Sequence, residues 1–320
     1  MFKYIIRRLL IAIGVLFGVS IIIFALIHLQ PGNPYSTMVD PRVSKEIMQE
    51  MLTKVGYYDP LPIKYIKWIA RTLQGDLGYS IFYGAPVLDV INSRIWNTVL
   101  LSTFSLLLSM LVAIPCGVLS AIKKYSFFDY SCTIISFIGI SIPAFFFGLL
   151  LIKWFAFDLK LLPVSGMKTI GESYGGLEKT IDILKHMILP GVVLAFLQMA
   201  SFMKYTRASM LEVLNKEYMK TARGKGLSKN KTIWKHGFKN ALIPIVTILC
   251  LQVPFLFSGA LLTETIFVWP GIGRLNYEAL LNRDYPLIMG ILMIIAIIIL
   301  LSNLLADVLY AIIDPRIKYE

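Results

Sequence analysis

The sequence predicts an all-α polytopic membrane protein with six transmembrane helices and both termini in the cytoplasm. Three observations carry that prediction. The chain is 57% hydrophobic and only 16% charged, with a mean hydropathy of +0.72, whereas soluble domains carry about 25% charged residues. Six stretches approach or exceed the roughly 20 apolar residues that span a bilayer core about 30 Å thick: 9–29, 98–122, 131–157, 187–203, 241–262 and 287–313. Lysine and arginine, finally, are distributed unevenly between the two sides that these stretches define.

The first stretch follows Lys3, Arg7 and Arg8. Its apolar core is longer than that of a signal peptide, and "HLQPGNP" offers no small-residue cleavage site, so it reads as a retained span. Residues 30–97 are too long for a connector and too patterned for disorder. Ile47, Met48, Met51, Leu52 and Val55 recur at helical spacing behind Ser44, a suitable N-cap. Ile63, Ile66, Ala70 and Leu73 predict the apolar edge of a second short helix. Together they suggest a small helical cap on the outer face. Pro115, Pro143, Pro190, Pro244 and Pro254 fall in or beside the later spans, where proline kinks helices whose freed carbonyls neighbours can satisfy. The fourth span is the shortest and contains Pro190. The chain thus divides into a tail and first span (1–29), an outer subdomain (30–97), a membrane core (98–313) and a cytoplasmic tail (314–320).

Under the six-span path, one side holds the N-terminus, residues 123–130, the long loop 204–239 and the C-terminus. That side carries 17 Lys/Arg against five acids, and the other side 13 against 13. The whole net charge of +12 therefore lies on one face, which the positive-inside rule makes cytoplasmic. Lys153, near an outer end, reads as a snorkelling side chain. Asp307 and Asn303, four residues apart near the inner end of the sixth span, form a candidate intramembrane polar site. The structural reading, with Asp307 paired to a basic group, is preferred there. Cys116, Cys132 and Cys250 lie in apolar runs without CxxC spacing and read as buried thiols. His28, His186 and His236 form no metal-ligand pattern.

Most of the excess charge is in residues 204–239, around the segment "EYMKTARGKGLSKNKTIWKHGFKNALIP". Topology and anionic lipid explain the sign of that charge. They do not explain its punctuation. Good helix formers over 211–222 are interrupted by Gly224 and Gly226, and a second helical stretch over 231–242 follows. In the second arm Ile233, Trp234 and Phe238 form an apolar edge, while Lys231, Lys235 and Lys239 share another. The pattern predicts helix, glycine turn, helix at the inner membrane surface.

"KTARGKGLS…HGFKNALIP" resembles the cytoplasmic loop of ABC-importer inner-membrane permeases of the dipeptide/oligopeptide/nickel branch. "PGNP", "GYYDPLPIKYIKW", "QGDLGYS", "SRIWNT", "ISIPAFFFG", "LTETIFVWPGIGRL" and "NLLADVLYAIIDPRIK" extend the resemblance, in order, over nearly the whole chain. The oligopeptide type is nearest. Two departures stand out: Lys220-Thr221-Ala222 occupies the place of the broader family's Glu-Ala-Ala, and Gly224 replaces an alanine.

The resemblance implies a type I ABC-importer permease fold in the cytoplasmic membrane, importing peptides. Dipeptide or nickel transport in the same branch, or an ion-driven carrier, are the alternatives. It implies a coupling loop over 204–240, with Lys220, Thr221, Ala222, Arg223, Gly224, Lys225, Gly226 and Leu227 meeting the ATPase. The implied partners are a homologous second permease, two cytoplasmic ABC ATPases and an extracytoplasmic peptide-binding protein, with peptide as cargo, lipid around the spans and no nucleic acid. This chain is expected to be non-catalytic and to hold no cofactor or metal. ATP and Mg²⁺ belong to the ATPase subunits. The residues agree: the glycine that a phosphate loop would need five positions before Gly224-Lys225 is Met219.

Overall fold

A computed structural model describes residues 2–30, 49, 50, 53, 56–172, 174–252 and 254–313. Among them the regular elements are helices, beside one isolated bridge between Tyr79 and Pro86. Four helices are long and apolar enough to cross a bilayer: α1 (Phe2–His28), α3 (Val87–Ile122), α6 (Gly176–Leu214) and α12 (Tyr285–Ile313). A fifth candidate is a pair, α4 (Phe127–Ser141) and α5 (Ala144–Leu151, extended by a π-helical turn to Asp158), bent by 105° at its junction.

The expected span at 241–262 is not one helix. There, α8 covers 229–252, with π-helical geometry at Thr232–Phe238. It is followed by α9 (Phe255–Ser258), α10 (Leu261–Ile266) and, before α12, α11 (Ile272–Leu281). Gly259, with φ of +76° between α9 and α10, breaks the ladder that apolar composition alone predicted.

Helices also outrun their apolar stretches. The second was expected from residue 98, yet α3 begins at Val87, just after Pro86. Its first turns bury Val87, Val90 and Ile91 while Asp89, Ser93 and Arg94 stay outside the core. That is a helical stripe too polar on average to register as a span. The fourth, expected at 187–203, is a 39-residue helix that runs on as far as Leu214. Hydropathy marks only the part of a helix that meets lipid; packing carries the rest.

The centre of the fold is the α3–α6 pair. A Cβ at Gly117 would lie 2.7 Å from Thr206 Cβ, and one at Gly191 would lie 2.5 Å from the Phe104 ring. Small residues at facing positions let two membrane helices approach to backbone contact. Both helices pass through a proline, Pro115 and Pro190, without breaking. At Pro143 the chain does break, because Ile142 adopts an extended conformation (φ −75°, ψ 124°), as the residue before proline tends to.

Near the C-terminal end of α1, Ile23, Phe24 and Ile27 pack with Val87, Ile91, Ile288 and Ile291 in the largest apolar cluster. The helix predicted from Ile63, Ile66, Ala70 and Leu73 is present as α2 (Leu61–Leu73), but it is turned the other way. Tyr65 and Trp68 face α1, with Tyr65 edge-on to Phe24 at 5.3 Å and its hydroxyl 2.8 Å from Ser20 Oγ. Ile63, Ile66 and Leu73 are exposed. Aromatic rings bury more surface than the aliphatic edge and add a hydrogen bond, so they win the interface. Ile47, Met48, Met51, Leu52 and Val55, the apolar edge expected behind Ser44, and the tail 314–320 lie outside the described residues.

Candidate coupling site

After α6 ends at Leu214, Lys216 turns extended (φ −73°, ψ 148°) and starts a separate short helix, α7 (Glu217–Gly224). The sequence reading of one helix over 211–222 is therefore corrected to two, broken at 215–216. Asn215 aids the break by donating its side chain back to the Leu211 carbonyl at 2.9 Å. The turn after α7 lies where the glycines predict it. Gly226 has a φ of +81°, its N–H donates to the Arg223 carbonyl at 3.0 Å, and Leu227 N–H donates to the Ala222 carbonyl at 3.4 Å. This pair of bonds around a left-handed glycine is a Schellman cap. Ser228 then caps α8, its hydroxyl accepting from Lys231 N–H.

The hairpin is held from beneath. Met219 is buried in one cluster with Val118 and Ala121 of α3, Met210 and Val213 of α6, and Ile233 and Ala241 of α8, and Ala222 is buried on the same helix as Met219. Gly237 lets α8 close onto this anchor, since a Cβ there would sit 3.3 Å from Met219 Cε. Lys220, Thr221, Arg223, Gly224, Lys225 and Gly226 all point outward, with Leu227 half-buried. Their face is basic. The ion pairs Lys220–Glu217 (2.7 Å) and Lys216–Glu212 (2.9 Å) are solvent-exposed, and such pairs contribute about 0–1 kcal/mol each. Shape here comes from the apolar anchor and the cap. Lys231, Lys235 and Lys239 are exposed along α8 as expected, and Ile233 is buried, but Trp234 is half-exposed beside Phe238 at a ring distance of 5.4 Å.

Next to the anchor is a contact that the sequence reading missed. Asp129, 2% exposed in the first turn of α4, receives Arg207 of α6 through two parallel bonds of 2.7 Å, Nε to Oδ1 and a terminal nitrogen to Oδ2. Ser120 Oγ of α3 and Tyr125 N–H complete its shell at 2.9 Å each. One carboxylate thus ties three helices together. The partners are 78 residues apart, and each was counted only as loop charge.

Residues 113–319 match the family described as binding-protein-dependent transport system inner membrane component, and residues 1–102 match its N-terminal counterpart. The chain belongs to this family. Its curated relatives include the oligopeptide transport system permease protein AppB of Bacillus subtilis, 43% identical over the full length of both chains. They also include the dipeptide transport system permease protein DppB of Escherichia coli K12, 37% identical over the full length of both. Among solved structures, the fold resembles a chain of the inward-facing MetNI methionine ABC transporter, with a TM-score of 0.56 and 14% identity. That likeness covers 71% of this chain and 97% of the other.

In this inner membrane component the segment "LTETIFVWPGIGRL" forms a clamp on the start of the apolar part of α3. Glu264, 1% exposed, accepts from Thr98 Oγ1 at 2.9 Å and from Arg274 N–H at 3.1 Å. Thr98 Oγ1 in turn accepts from Ile272 N–H at 2.7 Å. The fully buried Trp269 donates to the Asn97 carbonyl at 3.0 Å, and Asn97 donates to the Pro270 carbonyl at 2.8 Å. Nearby, Tyr83 donates to Glu278 at 2.6 Å; burial and that bond push its phenol up to about 12, so it stays a donor at neutral pH. Removing one partner from such a buried network leaves the other unsatisfied, at about 1–3 kcal/mol. Thr98→Val is accordingly expected to lower the melting temperature of the purified chain measurably, while Thr98→Ser is expected to restore it. Of the predicted polar pair, Asn303 is exposed on α12, and the side chain of Asp307 lies outside the described residues.

Proposed function

We propose that this chain is the permease subunit of an ATP-driven, binding-protein-dependent importer of peptides, oligopeptides foremost. The observation that carries the reading is the coupling hairpin: a short helix with a basic outer face, capped at Gly226 and anchored through Met219 into both long central helices. A lever must be stiff to transmit motion between two states, and this one is stiff by construction. ATP and Mg²⁺ reside on two separate ATPase subunits, which dock on 220–227. A second, homologous permease completes the membrane route, and a peptide-binding protein delivers cargo to the outer side near α2. The relatives named for oligopeptide and dipeptide transport support the cargo class.

The orientation follows from charge: N-terminus, 123–130, 204–239 and C-terminus inside. The chain is to be expressed with its ATPases and binding protein in vesicles, with peptide uptake and ATP hydrolysis followed together. Uptake of a tripeptide that requires ATP and all subunits is the expected result. A purified chain that binds ATP by itself, or labelling of Lys229→Cys from outside intact cells by an impermeant thiol reagent, overturns the assignment.

A further inference from the structure

The α4–α5 elbow is an anomaly for a membrane helix. Pro143 has no N–H to give the Gly139 carbonyl, and the extended Ile142 carries the chain away from the ladder. Ile142 N–H closes α4 on the Ile138 carbonyl at 2.9 Å, and α5 opens with Phe147 N–H on the Pro143 carbonyl at 3.1 Å. Among the described residues, no bond reaches the carbonyls of Gly139, Ile140 or Ser141, and the Ser141 hydroxyl has no partner either.

The depth of this break follows from its neighbours. Just before it, Gly139 lies against Phe196 of α6, where a Cβ would be 3.3 Å from the ring. Just after it, Gly148 lies near Val193. Along α6 the nearest flanking charged residues are Lys185, eight positions from Val193, and Lys204, eight positions from Phe196. At 1.5 Å per residue the elbow is about 12 Å from either, near the middle of the bilayer.

Irregular backbone does not face lipid at that depth; it is buried in protein or lines water. Here it is not buried, because Ile140, Ser141, Pro143, Phe145 and Phe146 are all exposed. A partner helix packed on it would present a backbone already bonded to itself, so only its polar side chains could supply the missing donors. Water can, and so can the N–H groups of a peptide. The end of α4 adds the partial negative charge of a helix C-terminus, which favours cations. Discontinuous helices at the midplane are how transporters commonly present backbone groups to cargo.

Resting on the peptide-import reading, we propose that the elbow at 141–143 lines the translocation route and binds the N–H donors of the passing peptide, its free amino terminus foremost. Backbone carbonyls read no side chain, which suits cargo of varied sequence. Phe145 and Phe146 supply adjacent apolar surface.

The test uses the assembled transporter with Cys116, Cys132 and Cys250 replaced by alanine. Ser141→Cys is expected to react with a charged, water-soluble methanethiosulfonate, while Leu111→Cys, 73% exposed on an apolar side of α3 expected to meet lipid, does not. Saturating trialanine is expected to slow that reaction by roughly tenfold, and N-acetyl-trialanine to slow it less. Pro143→Ala, which returns an N–H to the Gly139 carbonyl, is expected to keep normal abundance and to lose most uptake. An unreactive thiol at position 141, labelling indifferent to trialanine in a transporter that imports it, or wild-type uptake by Pro143→Ala each overturns the proposal. A wild-type complex that imports no peptide defeats the peptide-import reading instead, and with it the identity of the ligand; a reactive thiol at 141 in that complex still makes the elbow water-lined.

Discussion

Gly226→Val is expected to abolish ATP-driven uptake while leaving the chain in the membrane at normal abundance. Position 226 has a φ of +81° and nothing within 4 Å of where a side chain would begin, so the effect is conformational, with no clash to relieve by repacking. A β-branched residue at positive φ is a steric outlier, and strain of that kind costs about 1–3 kcal/mol. The turn would relax by giving up the two bonds of its cap. The eight-residue α7 has little else to fix its end, so the outer face proposed to meet the ATPase would lose its orientation. The anchor at Met219, ahead of the turn, would remain. Coupling is therefore expected to fail before folding does: ATP hydrolysis by the complex persists or falls, and uptake per ATP drops at least tenfold. The control removes charge but keeps shape. Lys229→Gln with Lys231→Gln takes two cations from the same hairpin and leaves both glycines, and it is expected to keep most transport. If uptake by Gly226→Val equals wild type at equal abundance, charge and topology are all that this loop provides.

Asp129→Ala is expected to have the larger effect on stability. It strands Arg207, whose side chain is 30% exposed and which pairs with no other carboxylate among the described residues, and it removes the acceptor for Ser120 and Tyr125. Breaking a buried pair from one side costs about 3–5 kcal/mol; partial access of water to the guanidinium places this case near about 3. Abundance in the membrane and the melting temperature in detergent are the measurements. Asp129→Leu combined with Arg207→Met removes both charges and is expected to recover much of the loss, since well-packed apolar replacements of buried pairs are often neutral or better. If Asp129→Ala melts within a degree of wild type, the pair is incidental.

The comparison between these two sites shows what a sequence makes visible. Gly226 was legible because its role is local: two glycines directly after a helix-forming run can be read without knowing what lies nearby. The same is true of the charge asymmetry, and of the apolar stretches that became α1, α3, α6 and α12. Asp129 and Arg207 were read only as loop charges, because nothing near either residue signals the other. The Thr98–Glu264 clamp was visible as a motif to be matched, but its chemistry was not, because it joins the start of one span to the end of another.

The all-α class, the basic character of the 204–239 loop, the left-handed glycine and the family resemblance were thus determined by the sequence alone. Each depends on composition or on φ and ψ at one position. Tertiary structure decided the rest. It set which edge of α2 packs, with Tyr65 and Trp68 winning over Ile63, Ile66 and Leu73 because α1 offers Ser20 and Phe24 to meet them. It let α3 and α6 pass through Pro115 and Pro190 while the chain broke at Pro143. A proline removes one hydrogen bond wherever it stands, but whether the helix survives depends on the neighbours packed on either side. For α3 and α6 those neighbours are each other, drawn to backbone contact at Gly117 and Gly191. At the elbow, α6 touches the chain before and after the proline, and at the proline itself the exposed backbone is free to turn.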